Sequence, residues 1–193
     1  MFVKNLKIIN FKNHPEKSFD FSSEINCFVG NNGAGKTNIL DALHYISMGK
    51  SFLGNSDFQN IKEDENFFSI ESKIKGEEKN DIIKILLQKE TKKIIKKNEK
   101  TYERMADHIG FLPSVMISPY DANLISDGGE SRRKFLDAMI SQTDSEYLFN
   151  LIQYQKTLQQ RNALLKYFQK NRTFDIDSLE IYNEPITKFG SQI

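Results

Sequence analysis

The first ten residues alternate in a way that predicts a β-strand. Phe2, Lys4, Leu6 and Ile8 would lie on one face, and Val3, Asn5, Lys7 and Ile9 on the other. Asn13-His14-Pro15 predicts a turn after it. Apolar runs predict further strands at residues 17–21, 25–29, 67–75, 82–88, 92–97 and 113–119, and helices at 38–46 and 102–108. Strands mixed with few helices indicate an α/β or α+β lobe.

From Glu130 onward the pattern becomes helical. Residues 143–146 have capping-box spacing, and apolar side chains then recur at helical intervals: Tyr147, Leu151, Tyr154, Leu158, Leu165 and Phe168. A second helix is predicted from Asp177, kinked at Pro185. We therefore expect a lobe at 1–129 and an incomplete helical arm at 130–193. Because the sequence stops inside the second predicted helix, we expect it to be part of a longer protein.

A phosphate-binding pattern joins one predicted strand to one predicted helix. The pattern G-x-x-x-x-G-K-[ST] is matched by Gly30, Asn31, Asn32, Gly33, Ala34, Gly35, Lys36 and Thr37. Glycines let successive backbone N–H groups turn toward phosphate oxygens, and the following helix adds the positive end of its dipole. Lys36 would reach the β- and γ-phosphates and Thr37 would ligate Mg²⁺. The alternative is an ordinary glycine-rich turn, but the flanking pattern favours binding of ATP and Mg²⁺.

A second G-K-S sequence, Gly49-Lys50-Ser51, lacks the glycine that opens such a loop, because His44 stands five positions earlier. We interpret Gly49 as the C-terminal cap of the first helix.

Composition limits the classes of protein that fit. The chain has 193 residues, of which 38% are hydrophobic and 27% charged, with a net charge of +1. Its single cysteine, Cys27, falls in a predicted buried strand, so a disulfide framework is excluded and a reducing compartment is expected. No apolar run is long enough to cross a bilayer, and the first residues do not form a signal peptide. We expect a soluble, cytoplasmic protein without membrane partners.

Positive charge is concentrated in residues 73–104, which contain eleven Lys or Arg and six acidic residues. Such a segment could contact a phosphate backbone. A solvated hairpin whose lysines protect a sheet edge is the simpler interpretation.

A pair of glycines at 128 and 129 precedes a predicted helix. Free amides at a helix start form an anion site, so this end could cover the γ-phosphate held by Lys36 of a second copy in a head-to-tail dimer. The alternative is structural, with Asp127 capping the helix and Glu130 completing a capping box.

Several segments, in order, resemble the RecF family: residues 6–14, the loop at 30–37, Gly49-Lys50-Ser51-Phe52, the G-G-x-x-R-R-x-F-L-D run at 128–137, and Gln160-Arg161-Asn162. The resemblance implies a phosphate-loop ATPase lobe of the ABC and SMC-like type, with an inserted helical-hairpin arm. It implies a DNA replication and repair protein that forms an ATP-dependent homodimer at single-stranded gaps or on double-stranded DNA. It also implies roles in recombinational repair and the SOS response, with RecO and RecR as partners.

The same resemblance assigns roles to particular residues. Ser126, Gly128 and Gly129 belong to a signature segment offered across the dimer, and Lys12 and Asn13 resemble a pair that approaches the nucleotide. A surface turn is an equally good interpretation of Lys12 and Asn13. The resemblance does not identify the residues that touch DNA. Arg132, Arg133 and the lysines at 92, 93, 96 and 97 are candidates because of their charge, although the arginines could equally pair with carboxylates.

Two departures qualify these expectations. Asp127 and Glu130 bring negative charge into the signature segment, where it would repel a γ-phosphate. No apolar strand ends in the acidic pair that holds Mg²⁺ and orients water. We therefore expect slow, DNA-dependent ATPase activity from a full-length protein and little from residues 1–193. An SMC-like nuclease or anti-phage ATPase, or a phosphate-loop small-molecule kinase, are the alternatives.

Overall fold

The computed structural model describes residues 1–54, 56–126 and 128–193. They form two compact units, Met1–Pro119 and Tyr120–Ile193. The first unit contains the sheet and the second is helical. The structure divides the chain before the short helix Asn123–Ser126, whereas the sequence placed the division after residue 129.

Six antiparallel strands form the sheet of the first unit. They are β1 (Phe2–Phe11), β2 (His14–Asp20), β3 (Phe67–Lys75), β4 (Asn80–Gln88), β5 (Ile94–Lys97) and β6 (Lys100–Thr101). Their spatial order is β2-β1-β3-β4-β5-β6. The predicted strands at 1–10, 17–21, 67–75, 82–88 and 92–97 are confirmed, with shifts of a few residues at their ends.

The core lies between one face of this sheet and the helix α1 (Lys36–Met48). Ile8 pairs with Ile70, which continues the row to Ile85 and then Ile95, so four isoleucines from adjacent strands stack on the inner face. The adjacent row of paired residues consists of lysines and a glutamate. This change follows because successive side chains of a strand point to opposite faces of the sheet. Burial of each isoleucine stabilises the fold by about 1.5–3 kcal/mol.

Two short turns set the register of neighbouring strands. The turn between β1 and β2 consists of Lys12 and Asn13, since Phe11 pairs directly with His14. Between β5 and β6, Asn98 and Glu99 both have positive φ, 49° and 66°, as a two-residue type I′ hairpin requires.

The expectation of a buried strand at residues 25–29 is wrong. This segment has no regular secondary structure, and no strand among the described residues pairs with it. Ile25 is 85% exposed, Val29 is 93% exposed and Cys27 is exposed as well, while the Phe28 ring packs edge-on against Phe19 and Phe21. An apolar sequence forms a buried strand only where a hydrogen-bonded neighbour and a covering layer are present.

The predicted strand at 113–119 behaves in the same way. Within the described part of the chain it has no ladder partner, and Ile117 is 82% exposed. The helix predicted at 102–108 is reduced to a three-residue 3₁₀ turn, Met105–Asp107.

The second unit contains helices α2 (Asn123–Ser126), α3 (Gly129–Ile140), α4 (Ser145–Asn171), α5 (Ile176–Glu180) and α6 (Asn183–Gly190). The long helix is confirmed. The capping-box spacing at 143–146 would make Thr143 the cap, but the cap is Asp144, whose carboxylate accepts hydrogen bonds from the amides of Glu146 and Tyr147, both at 2.9 Å. Its partner α6 packs on α4, with the Phe149 and Phe189 rings 6.2 Å apart.

The second predicted helix is two helices and not one kinked helix. Proline has no N–H and its ring clashes with the carbonyl four residues earlier, so Pro185 is best accommodated in a first turn. Accordingly α5 ends at Glu180 and α6 restarts at Asn183, with Pro185 in its first turn. Among the described residues, no helix is long and apolar enough to cross a membrane.

Candidate nucleotide-binding site

The loop at Gly30–Thr37 connects the unpaired segment 25–29 to α1. The helix begins at Lys36, and its N-cap is Gly35. Gly33 and Gly35 have left-handed backbones, with φ of 80° and 88°. At Gly35 space is also limited, because an added Cβ would collide with His14 Nε2 and lie 2.6 Å from Asn13 Oδ1. Only glycine therefore fits the position that opens the helix.

The N-terminus of α1 is arranged to receive an anion. Within the described residues, no side chain caps its first amides. Those amides and the helix dipole adjoin a cavity of about 300 Å³, which is lined by Asn32, Gly33, Gly35, Lys36, Thr37 and Asn38. Lys36 Nζ donates to the carbonyl oxygens of Gly30 and Asn31, each at 2.8 Å, so the ammonium lies on the loop itself. Of the strand-to-helix order that the sequence predicted, the helix after the loop is confirmed, whereas the segment before the loop is not a strand.

The turn between β1 and β2 lies against this loop. Asn13 Nδ2 donates to Gly33 O at 3.2 Å, and His14 Nε2 lies 3.2 Å from Gly35 O. Asn38, at the start of α1, donates to Asn13 Oδ1 at 2.8 Å. The structure thus places Asn13 at the loop.

Lys12 contacts α1. Its Nζ lies 2.6 Å from Asp41 Oδ2, and the two side chains are 8% and 0% exposed. Asp41 also accepts hydrogen bonds from Ser51 Oγ at 2.8 Å and from the Phe52 amide at 2.7 Å. Gly49 caps the helix in a left-handed conformation, as predicted, and Ser51 belongs to this buried network.

Sequence reasoning missed Asp41 and His14 as parts of the site. One signal in the sequence could have identified Asp41. Its carboxylate lies on the apolar face of a helix, next to Ala42 and between Ile39 and Tyr45. His14 carried no comparable signal, because its contact depends on the turn that brings residue 14 to residue 35.

The predicted signature segment lies in the helical unit. Gly128 is the N-cap of α3 and Gly129 its first residue, so the paired glycines do stand at a helix start. Ser126 is the last residue of α2, and Asp127 lies outside the described residues. Glu130 Oε1 is 2.6 Å from Lys134 Nζ, and this contact lowers the pKa of the Glu130 carboxyl.

Other residues of the same motif hold the helical unit together. Arg132 donates to the Leu124 carbonyl at 3.1 Å. Asp137 accepts a hydrogen bond of 2.6 Å from Tyr147, which raises the pKa of that phenol to about 12. Part of the motif is therefore structural.

The four lysines of the sheet unit that were candidates for DNA contact differ in their surroundings. Lys93 is 13% exposed, and its Nζ donates to Asp57 Oδ2 at 2.7 Å and to Gly49 O at 2.6 Å. Lys97 Nζ lies 3.6 Å from the centre of the Phe111 ring and 3.5 Å from Asp81 Oδ2.

The remaining two lysines reach solvent. Lys96 is 3.7 Å from Glu99, and Lys92 is exposed. Because Lys93, Lys96 and Lys97 already pair with carboxylates, the structure favours the interpretation of residues 73–104 as a solvated hairpin.

Lys93 also belongs to a polar cluster with Asp57 and with Tyr45 of α1. Tyr45 donates a hydrogen bond to Asp57 Oδ1, and Lys93 Nζ lies 5.2 Å from the centre of the Tyr45 ring. Burial, reinforced by the bond to Asp57, raises the pKa of the Tyr45 phenol. The phenol therefore stays protonated and acts as a donor.

The fold and the loop together define a phosphate-loop nucleotide-binding protein of the α/β class. The chain belongs to the AAA domain family, whose model matches residues 5–192.

Named relatives make the assignment more specific. The DNA replication and repair protein RecF of Flavobacterium johnsoniae is 51% identical over 193 residues, which cover 100% of this chain and 54% of that protein. The protein of the same name from Phocaeicola vulgatus is 43% identical, with coverage of 100% and 52%. The resemblance to RecF is confirmed, and the chain spans about half the length of these relatives.

Solved structures agree with this assignment. A structure of the recombination mediator protein RecF with ATP superposes with a TM-score of 0.93 at 34% identity, over 100% of this chain and 52% of that chain. An SMC ATPase structure matches 72% of this chain and 99% of its own, with a TM-score of 0.60 at 18% identity. The second likeness shows a shared fold.

Proposed function

We propose that this chain is the ATP-binding lobe of a DNA repair and replication protein that uses ATP to join two copies on DNA. The observation that carries the proposal is the loop at Gly30–Thr37. Its left-handed glycines, uncapped helix start and Lys36 ammonium surround one cavity, in a chain that superposes on RecF with ATP.

In this proposal the loop binds the triphosphate through backbone amides and Lys36. Lys36 Nζ would donate its third N–H to a phosphate oxygen while it keeps its two carbonyl acceptors, because an ammonium has three donors. Thr37 would hold Mg²⁺ together with phosphate oxygens, and the ion would neutralise charge on the β- and γ-phosphates. The described residues contain no cluster of three or more His, Cys, Asp or Glu side chains that could hold a metal.

Hydrolysis needs an acidic pair to hold the metal and orient water, in addition to the loop. We therefore expect slow, DNA-dependent turnover by a full-length protein and little by residues 1–193 alone.

The start of α3 would complete the site across a dimer. Ser126, Gly128 and Gly129 are the residues that would face the γ-phosphate of the second copy. The ion pair of Glu130 with Lys134 reduces the repulsion that the Glu130 carboxylate would exert on that phosphate.

DNA at single-stranded gaps or in linear duplexes is the proposed binding partner, contacted mainly through its backbone. RecO and RecR are the proposed protein partners and the cytoplasm is the proposed compartment, both by resemblance to RecF.

Sedimentation of the full-length protein tests the proposal. We expect Mg-ATP and a gapped duplex to convert a monomer into a dimer that stays on DNA, and the Lys36→Met variant to remain monomeric. A wild-type protein that binds ATP yet stays monomeric and ignores DNA would contradict the proposed function.

A further inference from the structure

Two side chains of the β1–β2 turn bind the carbonyl groups of the phosphate loop. Asn13 Nδ2 donates to Gly33 O, and His14 Nε2 lies 3.2 Å from Gly35 O. A carbonyl oxygen only accepts, so the bond to Gly35 requires the proton of the His14 ring on Nε2. His14 is 5% exposed, which shields this bond from competing water.

The amide of Asn13 is held in a fixed orientation. Asn38 Nδ2 donates to Asn13 Oδ1 at 2.8 Å, so the oxygen side of the amide faces α1 and the nitrogen side faces Gly33. One side chain therefore connects the turn, the loop and the first turn of the helix.

These contacts act on the peptide groups of the loop together with its backbone hydrogen bonds. In a trans peptide the C=O and the next N–H point in opposite directions. Gly35 O accepts from the Ile39 amide at 3.1 Å and also lies beside His14 Nε2, so both contacts direct the Lys36 N–H away from the turn. The Ala34 N–H that follows Gly33 donates to Asn31 O at 3.2 Å, so the bond of Asn13 to Gly33 O supports this turn of the loop. Carbonyl oxygens that pointed into the cavity would repel phosphate, whereas N–H groups attract it.

The turn is itself anchored to α1. Lys12 has a left-handed backbone, with φ of 53°, which costs a non-glycine residue about 1 kcal/mol. Its side chain forms the buried pair with Asp41, and its amide donates to Asn60 O at 2.8 Å. Both contacts favour the strained conformation that aims Asn13 and His14 at the loop.

We propose that Asn13 and His14 are positioning residues for nucleotide binding: Asn13 supports the turn of the loop at Gly33, and His14 holds the peptide after Gly35 with the Lys36 N–H toward the phosphates. The proposal rests on the proposed binding of ATP at Gly30–Thr37. It gives the turn an indirect role, through the loop, and makes no use of contact between the turn and the nucleotide.

The test is the dissociation constant of ATP and of ADP for the full-length protein, measured by calorimetry. One lost hydrogen bond changes an equilibrium constant by about twofold to tenfold. We expect Asn13→Ala and His14→Ala each to weaken both nucleotides by that factor, since both ligands carry the β-phosphate. Asn13→Asp still accepts from Asn38 but cannot donate to Gly33, so it should weaken binding as much as Asn13→Ala.

Two further variants separate positioning from stability. His14→Gln retains an N–H donor and should bind ATP within about twofold of the wild type. Asn5→Ala is a matched control on the same hairpin, because Asn5 donates to Ser18, to the Phe19 carbonyl and to Asp20. It should lower the thermal unfolding midpoint without changing nucleotide affinity.

Unchanged affinity in Asn13→Asp and His14→Ala would overturn the positioning role, as would equal weakening in Asn5→Ala. A wild-type protein that does not bind ATP would instead overturn the proposed function, and this inference with it.

Discussion

Replacing Lys12 by methionine tests the buried ion pair that anchors the β1–β2 turn. Methionine keeps the apolar stem and removes the charge, so the fully buried Asp41 carboxylate loses the cation 2.6 Å away. Breaking a buried pair on one side costs about 3–5 kcal/mol. We expect the lower end, about 3 kcal/mol, because Ser51 and the Phe52 amide still donate to the carboxylate.

The assay is the free energy of unfolding from urea titrations followed by far-UV circular dichroism. Combining Lys12→Met with Asp41→Asn removes both charges and keeps an acceptor for the Phe52 amide, so the double variant should lose about 1–2 kcal/mol. Lys7→Met is the matched control, because its 2.9 Å pair with Glu16 is exposed on the same strand and should contribute less than about 1 kcal/mol.

A Lys12→Met variant within about 1 kcal/mol of the wild type would refute this reasoning, since it would mean that the ion pair with Asp41 contributes little to stability. So would a double variant that loses the sum of the two single changes, because coupled partners are not additive.

Two other predictions concern buried groups of the same unit. Lys93→Met removes hydrogen bonds to Asp57 and to the Gly49 carbonyl and should cost about 2–3 kcal/mol in urea unfolding, whereas exposed Lys92→Met should cost less than about 0.5 kcal/mol; equal losses would contradict the contacts described. Burial lowers the pKa of His108, whose Nε2 lies 2.7 Å from the Ile46 carbonyl, so the folded ring stays neutral while the unfolded one protonates below about pH 6.5. The free energy of unfolding should therefore decrease as the pH is lowered below about 6.5, and the loss should reach up to about 1.4 kcal/mol at pH 5.5. Thermal midpoints at pH 7.5 and 5.5 should differ less in His108→Gln, and an unchanged difference would show that His108 does not carry the effect.

The sequence alone predicted the features that depend on neighbouring residues. The loop at 30–37, the helix after it and the Gly49 cap follow from local backbone chemistry, since glycine conformations and helix ends are decided within a few positions. The alternating strands and the long helix follow from periodicity for the same reason.

Errors arose where the outcome depends on a distant partner. Residues 25–29 have the composition of a buried strand, yet burial requires a neighbouring strand and a covering layer, and neither is visible in the local pattern. Thr143 and Asp144 are both good caps, and the choice between them was decided by the geometry of the start of α4.

The amino-acid sequence by itself determined the glycine-rich loop at 30–37, the helix that follows it and the family that the chain resembles. The tertiary structure decided which side chains hold that loop. Asn13 and His14 reach carbonyl groups about twenty residues further along the chain, and Lys12 meets Asp41 across the core. Contacts of this kind exist only after the hairpin has packed beside the helix, because chain separation carries no information about distance once the strands have paired.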